Sequence, residues 1–359
     1  MKIAILHNFM DNIGGAEKVS LTLARELKAD LYTTNIDTGK IAKMGFKNIK
    51  FKSIGNVPAN APFRQQSALM KFRKLNLGKK YDLYIISGDW AMSAAVNNQP
   101  NLWYVHSPIR EIWDLHEFTR KNSVPWYARS LFDIWVYYNR MLNKKYVKSV
   151  NKIICNSNNT KKRVCDFLKR DAVVIYPPIE TKQFYFRENG NFWLSVNRLI
   201  THKRIEMQLE AFKQLPKENL IIVGSYEQSR HFKQYAKLIK AHQPKNVEIL
   251  SWVTAKKLID LYANCKGFIT TAQDEDFGMV AVEAMASGKP VIAPNEGGFK
   301  ETIIHGKTGL LLDDINAEKL KSAIEKLGKS PEKYKDACLE QAKKFDTKIF
   351  VKKIRKIIK

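Results

Sequence analysis

Acidic residues are the scarcest charge in this chain. Its 359 residues carry 35 Asp and Glu against 61 Lys and Arg, a net charge of +26. The shortfall is local. From Thr38 through Tyr81 there is no acid at all, while Lys40, Lys43, Lys47, Arg64, Lys71 and Arg73 are among eleven bases. A second basic region, Arg120 to Arg163, has Asp133 as its only acid and carries Trp126, Tyr127, Phe132, Trp135, Tyr137 and Tyr138. A solvated surface ordinarily mixes the two signs. Cations interleaved with aromatics suit an anionic membrane interface, where each basic residue contributes about 1 kcal/mol. They also suit nucleic acid, through phosphates and stacked bases. A lysine-rich proteome would raise the count with no partner at all, so charge alone does not choose.

Cysteine is equally sparse. Cys155, Cys165, Cys265 and Cys338 show no CxxC or His-rich spacing, which argues against a zinc site or a disulfide framework and points to reduced, mostly buried thiols. No run approaches the ~20 apolar residues of a membrane span. The opening MKIAIL is too short for a signal peptide and reads as a first strand, so a cytosolic protein is expected. There is no GxGxxG fingerprint, which removes support for a nicotinamide or flavin dehydrogenase. No internal repeat or low-complexity segment appears.

What is present is a globular composition, 45% hydrophobic, in a chain longer than the ~250–300 residues at which single cores stop growing. Strand-like runs alternate with helical ones: Lys2–Leu6, Ala16–Leu27, Asp30–Thr34, Leu83–Ser87, Trp90–Val96, Leu102–His106, the long aromatic stretch Trp126–Val150, Lys152–Asn156 and Val173–Tyr176. The aromatics of 126–150 are expected to pack largely in a core with one face solvated. Tyr176-Pro177-Pro178 stiffens and interrupts the chain, marking a boundary. The strands Phe192–Val196, Leu220–Val223, Val247–Leu250 extended by Trp252-Val253, Gly267–Thr271 and Pro290–Ala293 follow. A hairpin-like HGKTGLLL comes next, and from about Gln341 a final helix with an apolar face. Such alternation indicates parallel α/β sheets, whose ligands sit beyond the carboxyl ends of the strands.

Several residues gather at those ends. Gly14 and Gly15 lie between the first strand and its helix and allow close backbone approach, followed by free helix amides. His106 stands at a strand end in WYVHSPIREIWD. Arg198 lies just past the strand Phe192–Val196, and Lys203 near the start of the next helix, placing two cations where a diphosphate would sit; Arg binds phosphate as a fork and Lys as a point charge. Gly224 closes the strand before it. In TTAQDEDFGMVAVEAMASGKPVIAPNEGG, a polar loop precedes a helix over Gly278–Ser287, so Gly278, Met279 and Val280 present first-turn N–H groups suited to a phosphate. Glu275 in the loop and Glu283 in the helix can reach one bound molecule. A nucleotide sugar fits this pattern.

The Glu275-to-Glu283 spacing inside EDFGMVAVEAMASGKPVIA resembles the paired-glutamate motif of the family 4 retaining glycosyltransferases. Together with HKR upstream, it is most similar to the mannosyltransferases that build lipopolysaccharide O-antigens. The resemblance covers nearly the whole chain and is weakest over 38–80. It implies a GT-B fold: two Rossmann-like doubly wound domains facing a central cleft, here an acceptor-binding domain 1–177, a nucleotide-sugar-binding domain 178–342, and a helix 343–359 returning to the first. It assigns Arg198 and Lys203 to the leaving diphosphate, Glu275 to the sugar hydroxyls, Glu283 to the ribose, His106 to a sugar contact rather than a nucleophile, and GGAE to the loop across from the donor. The loop at Trp252 would meet the base through its backbone, leaving the base unreadable. The family more often has Lys-Gly where this chain has Lys203-Arg204.

Sugar transfer develops negative charge on the departing diphosphate, which a divalent metal or fixed cations and amides can stabilise. Asp274-Glu275-Asp276 offers a metal-binding triplet. Arg198, Lys203 and the helix amides supply the alternative, and the expectation is metal-independent transfer without a cofactor. Retention at the anomeric carbon comes from the resemblance alone. The expected donor is GDP-mannose, with a UDP-sugar second, and the expected acceptor a lipid-linked or oligosaccharide glycan at an anionic cytosolic membrane surface, with no nucleic acid. The competing class is a non-catalytic nucleic-acid or membrane binder, which would not need Arg198, Lys203, Glu275 and Glu283 together.

Overall fold

The computed structural model describes residues 1–188, 190–224, 230–251 and 253–358, the side chains of 230–233 excepted. The chain divides into two compact units, Met1–Pro177 with Phe350–Lys359, and Pro178–Ile349.

The first unit is built on strands β1 (Ile3–Met10), β2 (Asp30–Ile36), β3 (Phe51–Ser53), β4 (Leu83–Ile86), β5 (Asn101–Val105), β6 (Lys152–Cys155) and β7 (Val173–Val174). They form one parallel sheet in the order β3-β2-β1-β4-β5-β6-β7. Its helices are α1 (Gly15–Leu27), α2 (Thr38–Lys43), α3 (Phe63–Lys74), α4 (His116–Asn122), α5 (Arg129–Tyr146) and α6 (Asn158–Arg163). The near-continuous apolar runs of β1, β4 and β5 are buried on both faces, as parallel strands covered by helices require. Trp103, Tyr84, Phe72 and Ile86 lie in the core. Ser157 caps α6 by accepting from the Thr160 amide at 2.9 Å. The expected helix over Trp90–Val96 is a 3₁₀ segment, Ala91–Val96.

The second unit holds β8 (Phe192–Val196), β9 (Asn219–Val223), β10 (Val247–Leu250), β11 (Phe268–Ile269), β12 (Val291–Pro294) and β13 (Gly309–Leu312), again all parallel, in the order β10-β9-β8-β11-β12-β13. Its helices are α7 (Ile205–Lys213), α8 (Arg230–Ala241), α9 (Ala255–Asn264), α10 (Met279–Ala286), α11 (Phe299–Thr302), α12 (Ala317–Gly328) and α13 (Lys335–Lys343). HGKTGLLL is not a hairpin. After a turn at His305–Thr308 it continues as β13, parallel to β12, and the two run so close that a Cβ on Gly309 would stand 1.9 Å from the Val291 oxygen. The helix expected from about Gln341 is interrupted: α13 ends at Lys343 and α14 (Thr347–Ile358) begins beyond Phe345-Asp346, where Asp346 forms a parallel bridge with Ile179. The division between the units falls inside α14, which buries Phe350 and Ile354. Trp252 lies outside the described residues. Among the described residues no helix is long and apolar enough to cross a membrane.

The expectation that the aromatics of 126–150 mostly pack inward holds only in part. Trp135 packs against Trp90, with ring centroids 6.1 Å apart, and Phe132 against Trp135. Trp126, Tyr127, Tyr137 and Tyr138 are exposed.

Candidate active site

In each sheet the chain order reverses between two adjacent strands, and the loops leaving those strands in opposite directions open a crevice at the carboxyl edge. In the second unit the reversal lies between β8 and β11. The loop after β8 carries Arg198 and Lys203, and the loop after β11 carries Glu275. Main-chain and side-chain bonds join these loops. The Gln273 amide donates to the His202 carbonyl at 2.8 Å. Thr271 Oγ1 lies 2.7 Å from the Lys203 carbonyl and 3.0 Å from that of Arg204, and it accepts from Gln208 Nε2 at 2.8 Å. At the tip, the Lys203 ammonium is paired with the Glu275 carboxylate. Arg198 is exposed at the same edge, two residues past the end of β8.

Arg204, where the family pattern favours glycine, adopts the left-handed conformation at φ 51°. An unsupported Arg pays about 1–2 kcal/mol for that backbone. Its guanidinium supplies the support: Nε donates to the Thr271 carbonyl at 2.6 Å, and Nη2 is paired with Glu296. The substitution thus ties the two loops together where glycine would only permit the turn.

The acidic loop is held from the other side by Gly297 and Gly298. The Gly298 amide donates to the Glu275 carbonyl at 2.7 Å. A Cβ on Gly297 would stand 2.5 Å from the Glu275 oxygen, and one on Gly298 2.4 Å from the Phe277 Cα, so no larger residue fits without moving the loop. Asp274, at φ 45°, and Gly278, at φ 88°, add two more left-handed positions around Glu275. Such a concentration of unfavourable backbone persists only where the surroundings over-determine it, and it accompanies functional loops.

Gly278 precedes α10 as its N-cap and has no side chain of its own with which to cap it. The first-turn amides of Met279 and Val280 follow directly on the loop that carries Glu275. Glu283, one turn on, is 5% exposed, and its Oε2 accepts the Tyr262 hydroxyl at 3.0 Å. Burial and the facing carboxylate push the Tyr262 hydroxyl well above its ordinary pKa, so it stays protonated and donating. Gly224 ends β9 against the loop after β8; a Cβ there would be 2.1 Å from the Asn197 oxygen, a packing reason for glycine independent of any ligand. Among the described residues no group of three His, Cys, Asp or Glu side chains is arranged to hold a metal ion.

In the first unit the reversal lies between β1 and β4. Their pairing ends at Leu6–Ile86, so His7 and Ser87 stand where the strands part, with His106 just past β5. These residues form a hydrogen-bonded chain, buried at His7, Ser20 and Ser87 and half-buried at His106. Ser20 Oγ contacts the Ala16 carbonyl at 2.8 Å, Ser87 Oγ at 2.8 Å and His7 Nδ1 at 3.1 Å, while Ser87 Oγ contacts His106 Nε2 at 2.8 Å. A carbonyl only accepts, so the single Ser20 proton goes to Ala16, Ser87 donates to Ser20, and His106 donates from Nε2 to Ser87. The remaining acceptor of the His106 ring is Nδ1. Its backbone carbonyl already accepts from Asn156 Nδ2 at 2.8 Å. Burial lowers the His7 pKa to about 4, and burial with the neighbouring His7 lowers that of His106 to about 3, so both rings are neutral at physiological pH.

Asp89, beside this chain, was not legible in the sequence. It accepts from Asn8 and from the Trp90 amide, and burial raises its pKa to about 6. Gly14, the N-cap of α1, is extended at φ −156° and needs no left-handed freedom; Gly15 is the first helical residue.

Residues 13–183 match the description Glycosyltransferase Family 4, and residues 178–345 match Glycosyl transferases group 1. An uncharacterized glycosyltransferase of Methanocaldococcus jannaschii is 30% identical over 58% of this chain, and the match spans 59% of that relative's length. The alpha-1,3/1,6-mannosyltransferase ALG2 of Dictyostelium discoideum is 26% identical over 87% of this chain and 86% of its own. Among solved structures, Anabaena HepE in complex with UDP-glucose superposes with a TM-score of 0.78 over 100% of this chain and 99% of that one, at 19% identity. A sucrose-phosphate synthase from Thermosynechococcus elongatus does so with a TM-score of 0.75 over 99% and 98%, at 18% identity. Two parallel Rossmann-like units of this order, matched at full length by such structures, are the GT-B architecture of a glycosyltransferase. Two adjoining family matches running from residue 13 to 345 then place the assignment: the chain belongs to glycosyltransferase family 4.

Proposed function

We propose that this protein transfers mannose from GDP-mannose, with retention and without a metal ion, to a lipid-linked or oligosaccharide acceptor at the cytosolic face of the membrane. The observation that carries the reading is the pairing of Lys203 with Glu275 where the second sheet reverses, on the loop that leads into the first turn of α10. A glycosyl diphosphate presents an anion and a set of hydroxyls a few ångströms apart, which is the complement of an adjacent ammonium and carboxylate. In this reading Arg198, Lys203 and the amides of Gly278, Met279 and Val280 neutralise the charge that grows on the leaving diphosphate. Glu275 orients the sugar and Glu283, steadied by Tyr262, the ribose. Residues 178–342 bind the donor, and residues 1–177 bind the acceptor. Gly14, Gly15 and the Nδ1 acceptor of His106 serve from the first domain, and Gly224 from the second. The same-face attack takes its proton to the departing phosphate and needs no enzymic nucleophile.

Mannose is favoured by the ALG2 relatives. A UDP-sugar is the second reading, favoured by the likeness to a protein solved with UDP-glucose. Turnover of a panel of GDP-, UDP- and ADP-sugars separates them. Turnover of GDP-mannose above the others supports the first reading; preference for a UDP-sugar replaces it with the second, and turnover of none overturns both.

A further inference from the structure

We propose that the outer face of α5, with the exposed end of α3 beside it, is a docking surface for an anionic lipid bilayer. This deepens the lipid-linked acceptor reading above and rests on it for the choice of membrane as the source of lipid. A helix that turns one apolar face to the core normally turns a polar one outward. Helix α5 does not. Its inner face buries Val136, Asn139, Leu142 and Tyr146. Its outer face carries Leu131, 70% exposed, Ile134, Tyr137, 74% exposed, Tyr138 and Met141, at spacings of three and four residues. Trp126 and Tyr127, in the turn just before the helix, are also exposed, the former by 79%.

The neighbouring helix extends the surface. Gln66 Nε2 of α3 donates to Asn139 Oδ1 of α5 at 2.8 Å, and Arg73 lies close enough to Tyr146, seven residues further on in both helices, to act on its hydroxyl. The two therefore run side by side and parallel for two turns, and α3 exposes Phe63 and Met70. So large an apolar and aromatic area on one face marks an interaction surface. Lys144, Lys145 and Lys148 are exposed where α5 ends, and no acid lies on the outer positions 131, 134, 137, 138, 141, 144, 145 or 148.

Charge decides the occupant. A second copy would bring another +26 chain against the same lysines. Nucleic acid would use the cations and the rings, but Leu131, Ile134 and Met141 offer it nothing. An anionic bilayer uses all three elements: aliphatic side chains in the acyl boundary, Trp and Tyr at the headgroup level, and lysines against the lipid charge.

The test is co-sedimentation of the full chain with phosphatidylcholine vesicles, with and without phosphatidylglycerol. Wild type is expected to bind the phosphatidylglycerol vesicles and to leave them as salt rises. The Leu131→Glu/Ile134→Glu variant loses at least tenfold in binding, with an unchanged melting temperature because both positions are exposed. Lys144→Glu/Lys145→Glu also loses more than tenfold, at roughly fivefold for each lysine. Equal binding by wild type and Leu131→Glu/Ile134→Glu overturns the proposal. So does a wild-type dimer in sedimentation equilibrium that this variant dissolves, or RNA binding that the lysine variant loses and the Leu131/Ile134 variant keeps. Donor turnover in solution, measured on the same variants, distinguishes the two levels. Turnover without vesicle binding removes the docking surface alone; binding without turnover removes the transferase reading alone.

Discussion

The close approach of Gly297 to the acidic loop makes a prediction with two separable parts. In Gly297→Ala the new methyl meets backbone rather than a movable side chain, 2.5 Å from the Glu275 oxygen and 2.7 Å from its nitrogen. The backbone itself is left-handed, at φ 57°. The conformational part costs about 1–2 kcal/mol, and forcing an extra carbon into packed surroundings costs about 1–3 kcal/mol more. Gly306→Ala isolates the first part, because Gly306 has φ 75° and open space around its Cβ position. Thermal unfolding should therefore show Gly297→Ala melting below Gly306→Ala by several degrees, at about 2–4 °C per kcal/mol for a unit of this size. Turnover should separate them further. Relief of the clash moves the Glu275 backbone, and a shift of ~1 Å in a positioning group costs on the order of 100-fold in rate; Gly306→Ala should keep wild-type kcat. Equal melting temperatures, with full turnover by Gly297→Ala, would refute both the close clasp and the role of Glu275.

The two histidines of the first unit give a pH dependence. His7 and His106 are harder to protonate folded, at about 4 and about 3, than at their ordinary 6.5. The unfolded chain therefore binds more protons as pH falls below 6.5, so their contribution to stability is full above 6.5 and lost toward pH 4 and 3. Replacing His7 by Asn and His106 by Gln should flatten unfolding free energy against pH in that window, and an unchanged slope contradicts the neutral pair. Tyr262→Phe leaves a buried Glu283 oxygen without its hydroxyl donor and should cost about 1–3 kcal/mol in urea unfolding. On the proposed ribose contact it also raises the donor KM more than it lowers kcat; a wild-type KM would count against that contact.

Most of the sheet was legible because buried parallel strands announce themselves as short apolar runs: β8 falls on the residues expected, β10 covers Val247–Leu250 but does not extend to Val253, and β1 begins at Ile3 and continues through HNFM to Met10. The edge strand β3 and helix α3 were not: β3 is three residues long and buries none of them, and the Ala68, Leu69 and Phe72 that α3 buries stand in a segment dense with basic residues. HGKTGLLL misled because a glycine turn between two apolar ends looks the same whether the chain folds back or moves on to a parallel edge. At the candidate site, the loop residues could be named from their chemistry and position, but their supports could not. Tyr262, Ser87 and Ser20 act through partners 21, 19 and 13 residues away in sequence. Nothing local marks a tyrosine as the donor to a buried carboxylate. Gly297 and Gly298 were visible as a pair, yet only the fold shows that they clasp Glu275.

The central claim is that Lys203, Arg198 and the first turn of α10 neutralise the leaving diphosphate while Glu275 holds the sugar, with no ion between them. Release of the nucleotide from the preferred donor, followed in excess chelator for wild type and Glu275→Ala, tests it most directly. Wild type should turn over at the same rate with and without chelator, and Glu275→Ala, with an unchanged melting temperature, should not turn over measurably. Loss of wild-type turnover in chelator that magnesium restores, or full turnover by Glu275→Ala, would contradict it.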